Sequence, residues 1–173
     1  MYSEQSPPRP ASSDLADRQQ AARWFFERAH ELQLRNELDQ AILCYKKSLE
    51  LHPTAKAHTF LGWIYGAKGR YEEAIRECER AITLDPELGN PYNDIGAYLI
   101  ELNRPLEAIS WLEKAASARR YEARHFPHVN LGRVYEQLGR WQNAMAAYAR
   151  ALRLNPADLF ARQALNRLTA LSN

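Results

Sequence analysis

An all-α chain of repeated helix–turn–helix pairs is the fold class this sequence predicts, on three observations. Alanine occurs 26 times and leucine 22 times in 173 residues, while valine, isoleucine and threonine together reach 13. Strands draw on β-branched side chains and helices on Ala, Leu, Glu and Arg, so a β-sandwich or barrel is excluded and a parallel sheet disfavoured. The second observation is internal repetition. The segments beginning at Phe60 and Asn130 share Leu-Gly, Tyr, Gly, Ala, Ala, Leu and Pro in register, and those beginning at Glu27 and Asp94 fit the same frame. Their central alanines, Ala41, Ala74, Ala108 and Ala144, are 33, 34 and 36 residues apart. The third is punctuation: Asn36, Gly69, Asn103 or Gly139 stands mid-segment, and these residue types accept the left-handed conformation that ends a helix.

Taken in order, residues 1–12 are polar and Pro-rich and read as a disordered tail. No apolar signal core is visible there, and no apolar run approaches the roughly 20 residues that span a bilayer, so no membrane contact is expected. Repeat 1 covers 13–54, with an extended first helix capped near Ser13-Asp14. Repeat 2 covers 55–88. Repeat 3 covers 89–124, lacks a closing proline and carries two extra residues, which predicts a second helix running on to about Arg124. Pro105 fits the first position of that helix, where a missing N–H costs little. Repeat 4 covers 125–158. Residues 159–173, with Leu159, Phe160, Ala164, Leu165 and Leu168, read as a capping helix over the last repeat. Within each first helix a small residue, Ala29, Gly62, Gly96 or Gly132, lets the partner backbone approach.

The recurring Leu-Gly-x-x-Tyr…Ala…Ala…Pro pattern resembles the tetratricopeptide repeat family across about residues 22–158. The resemblance implies four antiparallel helix pairs stacked as a right-handed α-solenoid, in which neighbours supply the core that one repeat cannot bury alone. The first unit departs from the pattern, with Arg28 and Leu32 where Leu and Tyr are usual, as suits a terminal repeat.

The resemblance also implies that first helices line a concave groove for partner peptides or helices. Carried over by position, the groove set is Phe26, His30, Lys56, Thr59, Trp63, Asn90, Asn93, Ala97, Phe126, Asn130, Arg133 and Arg167. Trp63 precedes Gly66 and Ala67 by one turn, leaving room for a guest side chain, and Trp and Arg commonly anchor interfaces. Asn amides pair with both backbone groups of an extended chain. Family members that bind the acidic C-termini of cytosolic chaperones use lysines, asparagines and an arginine on successive first helices. The two frames here give Phe26, His30, Phe60, Asn90, Asp94 and Thr59, Trp63, Asp94, Phe126, Asn130, and neither matches.

Catalytic and metal chemistry are not suggested. There is no phosphate-binding glycine loop, nucleophile elbow or paired-Cys site. His125 and His128 are spaced as two metal ligands could be, but no third ligand lies near in sequence and packed histidines are the preferred reading. No metal, cofactor or enzymatic activity is expected. Cys44 and Cys78 read as reduced thiols in a cytoplasmic protein.

The net charge of +2 averages unlike halves. From Arg119 onward there are nine arginines, no lysine and three acids. Spread over several helices, they read as a solvated face; an acidic partner is the next choice and nucleic acid is disfavoured. The leading expectation is a non-enzymatic scaffold for a partner peptide or helix. The alternatives are a small client-specific chaperone, as in bacterial secretion systems, and an adaptor working through the arginine-rich third. A homo-oligomer is possible if Leu15, Ala22 and Phe26 leave an apolar stripe open.

Overall fold

The computed structural model describes residues 15–171. The tail at 1–12 and the cap at Ser13-Asp14 lie outside the described residues, as do the last two positions of the capping helix. Among the described residues there are nine α-helices and no strand: α1 (Leu15–Leu34), α2 (Leu38–Leu51), α3 (Ala55–Ala67), α4 (Tyr71–Leu84), α5 (Gly89–Glu101), α6 (Pro105–Ser117), α7 (His125–Gln137), α8 (Trp141–Leu154) and α9 (Leu159–Leu171). The fold class is the helical-repeat class the sequence predicts. The helices gather in two compact units, α1–α4 and α5–α9.

Local chemistry sets the helix ends. The Thr54 hydroxyl accepts from the Ala57 N–H at 3.1 Å to start α3, and Asp158 does the same for Ala161 at 2.9 Å to start α9. Pro105 is the first residue of α6. All four turn residues have positive φ: Asn36 at 61°, Gly69 at 71°, Asn103 at 56° and Gly139 at 66°.

In the first unit, α1 packs on α2 and α3 on α4. Ala21, Ala29, Ala41, Tyr45, Leu61, Ile64, Cys78 and Ala81 form its core. Ser48, buried on α2, donates to the Ala22 carbonyl of α1 at 2.7 Å. Ala22 is therefore covered and Phe26 packs edge-on against Tyr45, so the apolar stripe through Leu15, Ala22 and Phe26 is not open along its length.

In the second unit, α5–α6 and α7–α8 pair and α9 covers α8. Ile95, Leu99, Leu112, Val134, Tyr148 and Ala151 form the core, with Ala161, Ala164 and Leu168 of α9 against it. Leu159 and Phe160, expected to help the cap, are exposed. The helix–helix approach is closest at the small residues. A Cβ on Gly96 would overlap the Leu112 side chain, and one on Gly132 would overlap the Tyr148 ring.

One expectation is corrected. The second helix of repeat 3 does not run to Arg124; α6 ends at Ser117, and Ala118 is already extended. The segment that follows instead pairs with the loop before α5. Gly89 N–H donates to the Arg120 carbonyl at 3.0 Å and Arg120 N–H to the Glu87 carbonyl at 3.1 Å, an isolated parallel bridge. Tyr121 then buries against Gly89. Satisfying backbone groups in this pairing and burying an aromatic ring outweigh further exposed helical turns.

Candidate functional site

First helices carry the candidate side chains in each unit. In the first unit, α1 and α3 bring Phe26, His30, Phe60 and Trp63 together. Phe60 is the hub: its ring centroid lies 5.3 Å from Phe26, 5.5 Å from His30 and 4.6 Å from Trp63. All four side chains are only partly buried. The Lys56 ammonium sits over two of these rings, 4.9 Å from the Phe26 centroid and 5.9 Å from that of Phe60. Trp63 thus leans back on its own helix against Phe60 while remaining part of an accessible aromatic surface. Thr59 does not belong to the surface: it is 3% exposed and its hydroxyl donates to the Ala55 carbonyl at 2.8 Å.

Phe60 is absent from the carried-over groove set. Its signal in the sequence was its place one turn before Trp63, level with Phe26 and His30 in the chaperone-clamp frame.

In the second unit the chemistry changes to amides and guanidinium groups. Asn130 on α7 donates to the Asn93 side-chain Oδ1 on α5 at 3.1 Å. Arg133 donates to Asn130 at 3.4 Å and to Glu101 at 2.7 Å. One repeat on, Arg167 of α9 reaches Glu136 at 2.5 Å, and Glu136 also accepts from the buried Tyr148 hydroxyl at 2.6 Å. Burial and this hydrogen bond push the Tyr148 phenol well above its ordinary pKa. Asn93, expected to face a ligand, is 8% exposed and its amide serves the α5–α7 seam. Asn90 and Ala97 are partly buried, Phe126 is exposed and stacks near His125, and Arg167 is exposed. Val129 and Ile100, also on the first-helix faces by position, are buried.

The C-terminal arginines are mostly engaged. Arg119 pairs with Glu87, Arg120 with Asp85, Arg133 with Glu101 and Arg167 with Glu136, while Arg124 and Arg162 donate to backbone carbonyls. His125 and His128 do not converge: His125 Nε2 lies 3.8 Å from Asp158, whereas His128 faces Arg150 and Arg153. Burial first, and those two cations second, hold the His128 imidazole below its ordinary pKa. Among the described residues no group of three His, Cys, Asp or Glu side chains is placed to hold a metal ion. No described helix is long and apolar enough to cross a membrane.

Helix pairs whose first helices display aromatic, amide and guanidinium side chains define an interaction scaffold of the helical-repeat class. Residues 55–88 and again residues 125–158 match the tetratricopeptide repeat family. The type IV pilus assembly protein PilF of Pseudomonas aeruginosa is 30% identical over 122 residues, covering 70% of this chain and 48% of the relative. The chain therefore spans about half the length of the curated relative it matches. A solved structure of Pseudomonas aeruginosa PilF superposes with a TM-score of 0.82 at 25% identity, covering 90% of this chain and 70% of that one. YrrB, described as a tetratricopeptide repeat protein with an unusual peptide-binding site, gives 0.67 at 26% identity over 86% of this chain and 76% of its own. PilW, a type IV pilus biogenesis factor, shares the fold at a TM-score of 0.79 and 23% identity, covering 88% of this chain and 70% of its own.

Proposed function

We propose that the chain is a non-enzymatic interaction module whose first-helix faces bind a peptide or helix of a partner protein. The observation that carries this reading is the cluster of Phe26, Phe60 and Trp63, large aromatic rings left partly open to solvent on α1 and α3. Such rings supply the contact area that anchors interfaces. The amide and guanidinium row of the second unit supports the same reading, since Arg133 can exchange Glu101 for a ligand carboxylate.

Likeness to the pilus assembly protein PilF supports a finer proposal, that the partner belongs to a type IV pilus or a comparable surface machine. A cytoplasmic location is also proposed, on the free thiols of Cys44 and Cys78. The test is affinity capture from the native cell by the intact chain and by Trp63→Ala and Arg133→Ala variants. A specific partner should be recovered, and each substitution should weaken binding by more than about 1 kcal/mol. Unchanged affinity in both folded variants moves the site off these faces. Fractionation and the surface piliation of a deletion strain test the two finer statements.

A further inference from the structure

We propose that the α1–α3 face of the first unit recognises a partner segment in which an aromatic or branched aliphatic side chain stands beside a carboxylate. This rests on the interaction-module reading above and specifies its ligand chemistry.

The apolar half of this face is the Phe26–Phe60–Trp63 surface. The Phe26 and Trp63 rings lie within 5.3 Å of the central Phe60 ring, and all three remain partly accessible. A flat or branched apolar group seats on such a surface and removes it from water.

The acidic half comes from charge complementarity. Lys56 is exposed, and its ammonium stands over Phe26 and Phe60 with no ion pair to a carboxylate among the described residues. Ring faces attract the cation without taking up its N–H donors in strong hydrogen bonds, so those donors remain available to an incoming acid. The nearby α1 carboxylates are matched by their own arginines, Glu27 with Arg23 at 3.8 Å and Glu31 with Arg28 at 3.1 Å. Among the described residues the uncompensated charge of this face is therefore positive and lies over the Phe26 and Phe60 rings. A carboxylate adjacent to the apolar anchor meets Lys56 without displacing an existing partner, while a basic residue there is repelled. This differs from a clamp of several lysines and asparagines, because the rings hold the ligand and one cation selects its neighbour.

The test uses short fluorescein-labelled Gly-Ser host peptides carrying adjacent Phe and Asp, Phe and Asn, Phe and Arg, or Ala and Asp. Affinity is read by anisotropy, and location by the NMR signals of the Phe26, Phe60 and Trp63 rings in the full chain. The Phe–Asp peptide should bind about fivefold more tightly than Phe–Asn, the size of one exposed ion pair. The Ala–Asp peptide should lose roughly tenfold or more with its anchor. Lys56→Glu, a change at an exposed position, should reverse the order and favour Phe–Arg. Ring signals that respond equally to Phe–Asn or Phe–Arg and Phe–Asp would overturn the acidic specificity while leaving the face as a binding surface. Ring signals that respond to no peptide, in a chain that still captures its cellular partner, would overturn this proposal and leave the module reading intact.

Discussion

His58 Nδ1 and Glu77 Oε2 stand 2.6 Å apart, with both side chains about nine-tenths buried. The second Glu77 oxygen accepts from Arg80 at 2.5 Å. One contact thus ties α3 to α4 inside repeat 2, at a position where repeat 3 uses the tilted rings of Tyr92 and Trp111, 6.0 Å apart. The same interhelical seam is closed by a buried hydrogen bond in one repeat and by aromatic contact in the next.

Removing the acid from that seam strands a buried imidazole. Glu77→Ala should cost about 1–3 kcal/mol. His58→Phe should cost less, because Glu77 keeps Arg80 and Phe25 already fills the equivalent position of repeat 1. Urea unfolding midpoints at constant slope rank the two; equal losses would show that Arg80 does not hold the carboxylate.

Glycines should fall into two classes by cause. Gly96→Ala pushes a methyl into Leu112 and should destabilise by about 1–3 kcal/mol. Gly62→Ala should be nearly neutral: its Cβ would meet the Ala74 carbonyl and Cys78 sulfur at 3.3 Å, while alanine gains up to about 1 kcal/mol of helix propensity. Gly69→Ala has open space yet should lose about 1 kcal/mol, because φ is +71°. Gly69→Asn should recover most of that loss, as Asn36 and Asn103 occupy the same turn position. Thermal melts of the four variants give the order.

His128 should make stability depend on pH in a defined window. Its folded pKa lies below the unfolded value of about 6.5, so the unfolded chain takes up the proton first. The stability this histidine contributes is present above about pH 6.5 and is lost as pH falls from there through the lowered folded value. His128→Phe should flatten that part of the curve. Parallel slopes for both proteins between pH 7 and lower pH, measured by urea titration, would rule out this origin.

Tyr121 should carry the connection between repeats 3 and 4. Tyr121→Ala empties a buried aromatic site and should cost about 3–5 kcal/mol. Hydrogen exchange at the Gly89 and Arg120 amides, which pair across this connection, should accelerate with it. Unchanged protection there would show that the backbone bridge holds without the ring.

Most of the fold was legible because one physical problem recurs. Every repeat needs a small residue where helices touch and a left-handed residue where the chain turns, so Gly62, Gly96 and Gly132, with Asn36, Gly69, Asn103 and Gly139, repeat the same solutions. The connection after α6 was not legible. Its AASARRYEAR composition suits a helix, and only the contacts of Tyr121 with Gly89 and of Arg120 with the Glu87 backbone favour an extended path. The candidate faces were legible by helix but not by side chain. Position alone placed Thr59 and Asn93 toward a ligand, whereas Thr59 turns to its own backbone and Asn93 to Asn130.

The sequence by itself determined the fold class, the repeat frame, the turn residues and the helices that carry the candidate faces, because these follow from local propensity and period. Tertiary structure alone decided which of those side chains remain available. Phe60 became the centre of an aromatic surface and Lys56 was left without a carboxylate partner among the described residues, while Arg133 and Arg167 found Glu101 and Glu136 on neighbouring helices. Those outcomes depend on distances between residues some thirty positions apart, which only packing of one repeat on the next sets.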